Sequence, residues 1–481
     1  ATVMIKSDVV QKKTVAYVKG KILNDLEVID MADEGRALAK YEGLVVFIDK
    51  AVPGDVVDVR VRKKHSSYLE AEVVELKKSS PFREVPFCQH FGVCGGCKWQ
   101  YMQYEGQLNY KQKQVFEALA RLGKIENPPV LPIVGSELTR HYRNKLDYTF
   151  SNKKWLTREE YSEREMVGGP ALGFHIPGKF DKILDIETCY LQPEPSNSIR
   201  LAVRKYTLEH DLPFMNLREK GGMMRGLIIR NTLAGGWMVI VMVYEDRMED
   251  LAGLLDHLKS TFPEITSLLY VINQKGNDTI HDLEVKTWHG DPFIEEKMDG
   301  LTFRIGPKSF FQTNSGQTLT LYRLAKEFAG LTGNEIVYDL YTGTGTIALF
   351  VAGQAKKVVG VEYVKEAIVD ANINAGLNNV SNTVFYAGDM KDLLTPDLFS
   401  REGNPDVIIT DPPRAGMHYD VVEQLLKSNC PRIVYVSCNP ATQARDVQML
   451  SEKYDLIKVQ PVDMFPHTAH VESVALLELR K

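Results

Sequence analysis

A cysteine stands at the end of a strand-like segment in RIVYVSCNP, residues 432–440. Four apolar residues precede Ser437 and Cys438, which is typical of a buried parallel strand that ends in a polar turn. In open α/β sheets, ligands bind beyond the carboxyl ends of the strands. Cys438 is therefore placed where a nucleophile would be useful, although free cysteines are often inert core residues.

Other strand-like segments of the C-terminal third also end in residues that can do chemistry. From Asn334, strands and helices alternate, which predicts a parallel sheet with helices on both faces. The first four strands are predicted to end at Asp339, Glu362, Asp389 and Asp411. RIVYVSCNP is the fifth strand, and DLIKVQPV and VESVALLEL are the sixth and seventh. We therefore expect a nucleotide-binding type of α/β domain.

A glycine turn follows the first of these strands. Gly343 and Gly345 let the backbone approach a ligand, and Glu362 after the next strand suits two ribose hydroxyls. Dehydrogenases share this logic. S-adenosylmethionine is favoured over NAD because the third glycine of the dinucleotide motif is missing and because Asp389 can accept from an adenine amino group. Asp411 begins a Pro-Pro turn at the point where a methyl group would meet its acceptor.

The DPPR turn and the neighbouring cysteine indicate which atom is methylated. A thiol is needless for methylating nitrogen, but pyrimidine C5 is poorly nucleophilic until a thiolate adds to C6. A general base must afterwards remove the C5 proton. Glu472 is the candidate base if the seventh strand is antiparallel, because its start then lies at the same sheet edge; an exposed strand-end glutamate is the alternative. His467 and His470 could orient this base or serve only as structural hydrogen-bonding groups.

Six cysteines occur in the chain, and three of them crowd into residues 88–97. Two glycines lie between Cys94 and Cys97 and let the backbone wrap closely around a metal centre. A fourth thiolate is available from Cys189. Four cysteines suit a [4Fe–4S] cluster or structural zinc, and we favour iron–sulfur. The predicted ligands are Cys88, Cys94, Cys97 and Cys189.

Short strand-like runs separated by turns fill residues 1–78 and predict a small OB-like β-barrel. The basic run RVRKKH at 60–65 is either a nucleic-acid-binding patch or a solvated face. Ser79-Ser80-Pro81 is predicted to be a linker. With its AVPGDVV turn, the segment resembles a TRAM domain, an RNA-binding barrel found in RNA-modifying enzymes.

The middle of the chain, residues 79–306, is predicted to be an α+β domain that carries the four-cysteine metal site. A helix is expected from Trp99 to about Leu122, with Val115 and Phe116 on its apolar face. Basic residues recur with aromatics in RHYRNK and KKW, which is typical both of single-strand nucleic-acid binding and of ordinary exposed loops. Residues 307–481 form the predicted methyltransferase domain.

The composition sets few limits on function. The chain has 481 residues and a formal net charge of −5, so a nucleic-acid partner would have to be recognised by local basic patches. No apolar run reaches membrane-spanning length, and the N-terminal segment lacks the apolar core of a secretion signal. We expect a cytoplasmic monomer that does not bind membranes.

Five motifs occur in a fixed order: PKSFFQTN, DLYTGTGT, DPPRAG, VSCNPATQARD and FPHTAHVE. Together with C-x5-C-G-G-C and the TRAM-like barrel, they resemble the RNA 5-methyluridine methyltransferase family, most closely its RumA-type 23S rRNA branch. The resemblance implies Cys438 as nucleophile, Glu472 as base and a [4Fe–4S] cluster on the four cysteines. It implies that Phe310 and Asp411 meet the target base and that a helix of about 100–131 packs with the catalytic domain. The implied cofactor contacts are Gln312, Tyr341, Gly343, Gly345, Thr346, Glu362, Asp389 and Asp411.

Two departures from the family pattern affect the cofactor site. Tyr341-Thr342 stand where the family often has Phe-Cys, and Thr346 stands where Asn is usual. An aromatic ring and a hydroxyl remain for contact. The same chemistry on tRNA is an alternative to rRNA, and a non-catalytic RNA-binding protein is a further alternative.

Overall fold

The computed structural model describes residues 19–158, 160 and 168–481. Contacts divide it into two units. The first runs to Val85 and includes Tyr101–Gln103; the second comprises Pro86–Gln100 and Tyr104–Lys481. The first 18 residues of the predicted barrel lie outside the described residues.

The first unit is built from strands that alternate buried and exposed residues. Six strands form one sheet in the order β1-β5-β6-β4-β3-β2, in which only β4 and β6 run parallel. Apolar side chains such as Val46, Ile48 and Val59 are fully buried and form its core. The strands are β1 Ile22–Glu27, β2 Asp30–Met31, β3 Ala37–Tyr41, β4 Leu44–Asp49, β5 Val56–Lys64 and β6 Tyr68–Lys78.

The predicted linker at Ser79-Ser80-Pro81 is wrong, because Ser80 is part of the first unit. Ser80 is only 4% exposed. Its backbone N–H donates to Asp55 Oδ1 over 2.8 Å, and its hydroxyl donates to the Pro53 carbonyl over 2.6 Å. The buried Asp55 carboxylate thus fixes the chain beyond β6 to the Pro53-Gly54 turn.

The basic run at 60–65 faces glutamates on the adjacent strand. Arg60 and Arg62 both form ion pairs with Glu72, and His65 contacts Glu70 over 2.9 Å. These cross-strand pairs neutralise part of the positive charge of β5.

The first helix of the second unit is α1, Tyr104–Arg121, which is followed along the chain by a seven-stranded sheet in the order β13-β12-β11-β10-β7-β8-β9. Two helices lie between strands of this sheet along the chain: α2, Ser196–Glu209, and α3, Met248–Thr261. The hairpin of β14 and β15 comes after the sheet in the chain. The strands are β7 Lys145–Ser151, β8 Ala171–His175, β9 Ile183–Asp185, β10 Met224–Asn231, β11 Trp237–Val243, β12 Ser267–Ile272, β13 Lys286–Gly290, β14 Ile294–Met298 and β15 Leu301–Ile305.

A second seven-stranded sheet occupies the C-terminal part, in the order β18-β17-β16-β19-β20-β22-β21. Neighbours from β18 to β20 are parallel, whereas β22 is antiparallel to both β20 and β21. This is the predicted Rossmann-like arrangement. The strands are β16 Ile336–Leu340, β17 Lys357–Glu362, β18 Thr383–Ala387, β19 Val407–Thr410, β20 Arg432–Ser437, β21 Tyr454–Val462 and β22 Glu472–Leu479.

Helices lie between the strands of this C-terminal part. They are α4 Ser315–Ala329, α5 Thr346–Ala352, α6 Lys365–Leu377, α7 Met390–Leu393, α8 Pro396–Glu402, α9 Tyr419–Ser428 and α10 Pro440–Leu450. Across the described residues, every helix is too short or too polar to cross a bilayer.

Helix α1 packs against α10 and β21. Its buried face repeats every four residues through Gln107, Lys111, Val115 and Leu119. Phe116, which was predicted to lie on the apolar face, is 40% exposed. The helix therefore presents two polar side chains, as well as apolar ones, to the C-terminal sheet.

Candidate active site

Strand pairing brings Cys438 and Glu472 together. In the antiparallel ladder between β20 and β22, Ser437 pairs with Ser473. The next position outward places Cys438, just beyond β20, across from Glu472 at the start of β22. Directly opposed residues of antiparallel strands have Cβ atoms about 5 Å apart. The sixth strand and the loop after it thus return the chain to the edge where the parallel strands end.

The environment of this pair is shielded from water and rich in acidic groups. Glu472 is 4% exposed, and burial raises the pKa of its carboxyl to about 7. Burial and the neighbouring carboxylates of Glu472 and Asp411 raise the pKa of the Cys438 thiol to about 11, while the Arg414 charge lowers it. The carboxyl is therefore close enough to influence the ionisation of the thiol.

Two further carboxyl groups extend this cluster beneath the sheet edge. Burial, together with Glu472 and Asp339, raises the pKa of Asp411 well above its ordinary value. Asp339 is fully buried, and burial raises its pKa to about 7. The buried phenol of Tyr322, on α4, lies within the influence of all three carboxylates.

The glycine turn after β16 is shaped to receive a ligand. Gly343 has φ +58°, and a Cβ added there would enter open space. Its N–H donates to Glu362 Oε1 over 3.2 Å, which fixes the glutamate at the end of β17. Asp339 Oδ2 accepts from the Thr342 hydroxyl over 2.6 Å, whereas its Oδ1 is buried without a hydrogen-bond partner. The turn thus offers an open cradle beside acidic groups.

The predicted adenosine-site residues lie near one another. Burial and the carboxylates of Asp446, Asp389 and Glu362 raise the pKa of Tyr341. Tyr341 has φ +60°, a conformation that costs energy for a residue with a side chain. Asp389 caps the short helix α7 by accepting from the Lys391 N–H over 3.1 Å.

The other predicted contact residues lie on α5 and on the loop before α4. The Thr346 hydroxyl shares a hydrogen bond of 2.9 Å with the Tyr322 hydroxyl. The Gln312 carbonyl accepts from Asn144 Nδ2 over 2.8 Å, which attaches its loop to the start of β7. Phe310, two residues earlier, is 72% exposed. An aromatic ring so exposed is available for stacking against a base.

A buried carboxylate that the sequence did not reveal holds the DPPR turn in place. Asp446, on α10, accepts from the Tyr435 hydroxyl over 2.6 Å and from the Met417 N–H over 2.9 Å. The Arg414 carbonyl accepts from Asn439 Nδ2 over 3.0 Å. These contacts join the turn after β19 to the turn that carries Cys438.

The two histidines differ in their contacts. Arg414 donates to His470 Nδ1 over 3.2 Å, which places His470 beside the DPPR turn. His467 instead contacts Gln107 of α1, and burial lowers its pKa to about 4. His467 is therefore neutral at physiological pH, and the geometry supports a structural role for it.

The four predicted metal ligands lie together in the second unit as free thiols. Burial raises the pKa of Cys94 to about 11 and that of Cys97 to about 12, and the neighbouring cysteines add to both shifts. The Gly96 N–H donates to Cys94 Sγ over 3.4 Å. Cys189 is held by Asn197, whose Oδ1 accepts from its N–H over 2.9 Å.

A metal site at these cysteines is not confirmed. Among the residues that the structure describes, no group of three or more His, Cys, Asp or Glu side chains is arranged to hold a metal ion. The donor set nevertheless fits an iron–sulfur cluster. Cys88, Cys94 and Cys189 lie within electrostatic reach of the mostly buried Cys97, and a backbone N–H points at the Cys94 sulfur, which is the kind of contact that tunes such clusters.

Comparison with known proteins identifies the family. A family profile described as tRNA (Uracil-5-)-methyltransferase matches residues 231–480, and a TRAM domain profile matches residues 25–74. An RNA methyltransferase of Bacteroides thetaiotaomicron, named as uncharacterized, is 59% identical over 454 residues, which cover 94% of this chain and 100% of the relative. The chain belongs to the tRNA (uracil-5-)-methyltransferase family. The predicted family and TRAM domain are thereby confirmed.

More distant relatives of this methyltransferase family agree over almost the full length. One from Chlorobaculum tepidum, also named an uncharacterized RNA methyltransferase, is 37% identical over 478 residues, covering 97% of this chain and 98% of that one. The crystal structure of Pyrococcus abyssi tRNA (uracil-54, C5)-methyltransferase with S-adenosyl-L-homocysteine superimposes with a TM-score of 0.73 and 29% identity, covering 94% and 99% of the two chains. S-adenosylmethionine is the methyl donor of this family.

The buried Glu472 of this methyltransferase makes stability depend on pH. Its pKa is raised from 4.5 to about 7, so the folded state resists ionisation that the unfolded chain undergoes freely. Stability is therefore lost as pH rises through that window. The gain in the free energy of unfolding caused by Glu472→Gln should be larger at pH 8 than at pH 5. The difference between the two gains should be roughly 3 kcal/mol, because a shift of one pKa unit corresponds to about 1.4 kcal/mol.

Denaturant unfolding of the variant and the wild type at both pH values measures this difference. Glu366→Gln, at an exposed position in the first turn of α6, is the matched control and should show no such dependence. An equal effect of Glu472→Gln at both pH values would contradict the buried, weakly acidic carboxyl.

Proposed function

We propose that this protein methylates C5 of uridine in RNA through a covalent adduct between Cys438 and C6 of the base. The observation that carries the proposal is the pairing of Ser437 with Ser473, which puts a thiol and a buried carboxyl on opposite strands at one edge of the sheet. Reaction at C5 requires both a nucleophile for C6 and a base for the C5 proton.

The first step is addition of the Cys438 thiolate to C6. The thiol must first lose its proton, and Arg414 is the nearby positive charge that favours the thiolate. As the C–S bond forms, the electrons of the C5=C6 double bond move towards the C4 oxygen. Asp411, whose pKa is raised, can donate a hydrogen bond to a base oxygen in its protonated form.

The last step is removal of the C5 proton by Glu472. Once C5 carries the methyl group, the electrons of its C–H bond form the C5=C6 double bond, and the C6–S bond breaks to release the Cys438 thiolate. A carboxyl with a pKa of about 7 is well matched to this task near neutral pH. Such a pKa follows from burial, because water does not stabilise the carboxylate.

S-adenosylmethionine supplies an electrophilic methyl group when bound. Gly343 leaves room for it, and Gly345 lets the turn pack closely against Ala371 and Phe385. Glu362 is available for ribose hydroxyls and Asp389 for the adenine amino group. Gln312, Tyr341 and Thr346 complete the proposed set, with Asp411 at the junction of cofactor and base. Phe310 is exposed beside this site and is proposed to stack on the target nucleotide, which must leave any helical stack to reach the thiol.

The four cysteines are proposed to hold a [4Fe–4S] cluster. Their four sulfur donors, their burial and the Gly96 N–H at Cys94 suit such a group. Methyl transfer consumes no electrons, so we assign the cluster a structural or RNA-folding role. The cluster would then join the loop that carries Cys88, Cys94 and Cys97 to Cys189, which precedes α2.

The RNA substrate is proposed to be 23S rRNA. The proposal rests on the combination of TRAM domain and C-x5-C-G-G-C, by which the sequence resembles the rRNA-modifying branch. tRNA is the second candidate, and one comparison favours it: the Pyrococcus abyssi enzyme, which matches over 94% of this chain, is named for tRNA uracil-54.

Total RNA from a strain that lacks the gene distinguishes these substrates. After incubation with enzyme and S-adenosylmethionine, we expect new 5-methyluridine in 23S rRNA, mapped by mass spectrometry of fragments. New methylation in tRNA alone would establish the second candidate. Methylation at a base other than uridine would contradict the proposed reaction.

Replacing each of the two proposed catalytic residues should block a different step of the reaction. Cys438→Ala should abolish both methylation and any covalent complex, because the nucleophile is lost. Glu472→Gln should allow addition and methyl transfer but stall release, so a methylated protein–RNA adduct should survive denaturing gel electrophoresis. That adduct should require both S-adenosylmethionine and Cys438. Near wild-type turnover by Glu472→Gln, or inertness without any adduct, would show that another base acts last.

The cysteine cluster predicts a coloured protein. Anaerobically purified enzyme should contain iron and sulfide, each at about four atoms per chain, as expected for a [4Fe–4S] centre. Cys94→Ala should lose the colour and lower the melting temperature. Cys430→Ala, at a buried cysteine remote in sequence from the cluster, is the control that should keep the colour. If the purified protein instead contains stoichiometric zinc and no iron, the cysteines hold zinc and the proposed [4Fe–4S] cluster is wrong.

A further inference from the structure

The loop between β21 and β22, residues 463–471, leads directly to Glu472. It has no regular secondary structure, yet most of it is buried. Side chains and backbone groups from distant parts of the second unit hold it at successive positions. The strongest of these contacts come from helix α1, which was predicted only to pack with the catalytic domain.

A buried ion pair holds the beginning of the loop. Lys111 of α1 and Asp463 are both fully buried, and Lys111 Nζ donates to Asp463 Oδ1 over 2.6 Å. The same ammonium donates to the Phe465 carbonyl over 3.0 Å. The Tyr104 hydroxyl donates to Asp463 Oδ2 over 2.7 Å. Two side chains of α1, about two turns apart, thus fix the positions of Asp463 and Phe465.

One turn earlier on α1, Gln107 holds the middle of the loop. The His467 N–H donates to Gln107 Oε1 over 2.7 Å, and Gln107 Nε2 donates to His467 Nδ1 over 3.1 Å. His467 has φ +69°, which a residue with a side chain adopts only where its surroundings impose it. The paired hydrogen bonds therefore stabilise the bend that turns the chain towards Glu472.

The remaining backbone carbonyls in this part of the loop also accept hydrogen bonds. Asn314 Nδ2 donates to the Met464 carbonyl over 3.0 Å, and the Tyr142 hydroxyl donates to the Pro466 carbonyl over 3.0 Å. The Lys98 and Trp99 N–H groups both donate to the His467 carbonyl, over 2.8 and 3.1 Å. Every carbonyl from Met464 to His467 is thus hydrogen-bonded to a residue outside the loop.

We propose that Gln107 and Lys111 are positioning residues that hold Glu472 where it can reach the C5 proton. The inference rests on the proposed function. An ion pair buried to this degree seldom adds stability over apolar packing, whereas its directional hydrogen bonds fix the loop in one place. Neither side chain touches the substrate. Both act through the four residues between His467 and Glu472, and an error of about 1 Å at a reacting group can cost about 100-fold in rate.

The proposal predicts a defect in one step only. The C5–H electrons must form the C5=C6 bond while the C6–S bond breaks, and this release depends on the placement of Glu472. Addition of Cys438 depends instead on β20 and the DPPR turn, which contact neither Gln107 nor Lys111 in the hydrogen bonds described. The loop meets that turn through the hydrogen bond from Arg414 to His470, five residues beyond Phe465. Misplacing the loop should therefore slow release on the order of 10- to 100-fold and affect adduct formation much less.

Three variants and one control test this. Gln107→Leu removes both hydrogen bonds to His467 at nearly constant volume. Lys111→Met removes the ammonium, and the double variant Lys111→Met/Asp463→Asn also removes the buried charge that would otherwise remain unpaired. Lys113→Met is the control, because Lys113 lies on the same helix in an exposed ion pair with Glu117. Thermal melting establishes that each full-length protein is folded.

The readout is the ratio of covalent protein–RNA adduct to released methylated RNA in single-turnover reactions with S-adenosylmethionine and substrate RNA. We expect that ratio to rise at least tenfold in Gln107→Leu and in the double variant, and to stay at the wild-type value in Lys113→Met. If Lys111→Met does not fold, the other two variants decide the matter.

Two other results would overturn the inference. In the first, Gln107→Leu and the double variant keep the wild-type ratio of adduct to released product while the amounts of both fall together. Such a result indicates only a loss of folded enzyme. The other is unchanged turnover in both. Failure of the proposed function is distinguishable, because the wild-type protein would then form neither methylated uridine nor a Cys438-dependent adduct.

Discussion

The active site depends on one strand that runs against the others. Because β22 lies between β20 and β21 and is antiparallel to both, its first residue, rather than its last, meets the edge where the parallel strands end. The register is equally important. A slip by one residue would turn Glu472 to the opposite face of the sheet.

The site also combines groups that would each be more stable in water. Asp411 lies within the electrostatic influence of Glu472 and Asp339, and the Cys438 thiol within that of Glu472 and Asp411. Burial raises the pKa of all four groups. Protonation lowers the cost of keeping them there. A pocket with little water strengthens every remaining charge interaction, so the environment that costs stability also makes a carboxyl into a base near neutral pH.

Local patterns in the sequence predicted the strands, their order along the chain and the chemical groups at their ends. Each of these follows from neighbouring residues. The partners of α1 could not be predicted in this way, because Lys111 and Asp463 are 352 residues apart. One signal was available: Gln107 and Lys111 continue the four-residue spacing of Val115 and Leu119. Ser80 was misassigned for the same reason, since its partner Asp55 lies on another turn.

The contact between α1 and the loop before β22 has a consequence for biosynthesis. Residues near position 110 leave the ribosome long before Asp463 is synthesised. The ion pair between Lys111 and Asp463 therefore cannot form during most of translation. The gap between β20 and β21 likewise stays open until β22 has been synthesised. Contacts this far apart in sequence form late and slowly. A nascent chain should therefore be unable to modify RNA until its last strand has emerged and inserted.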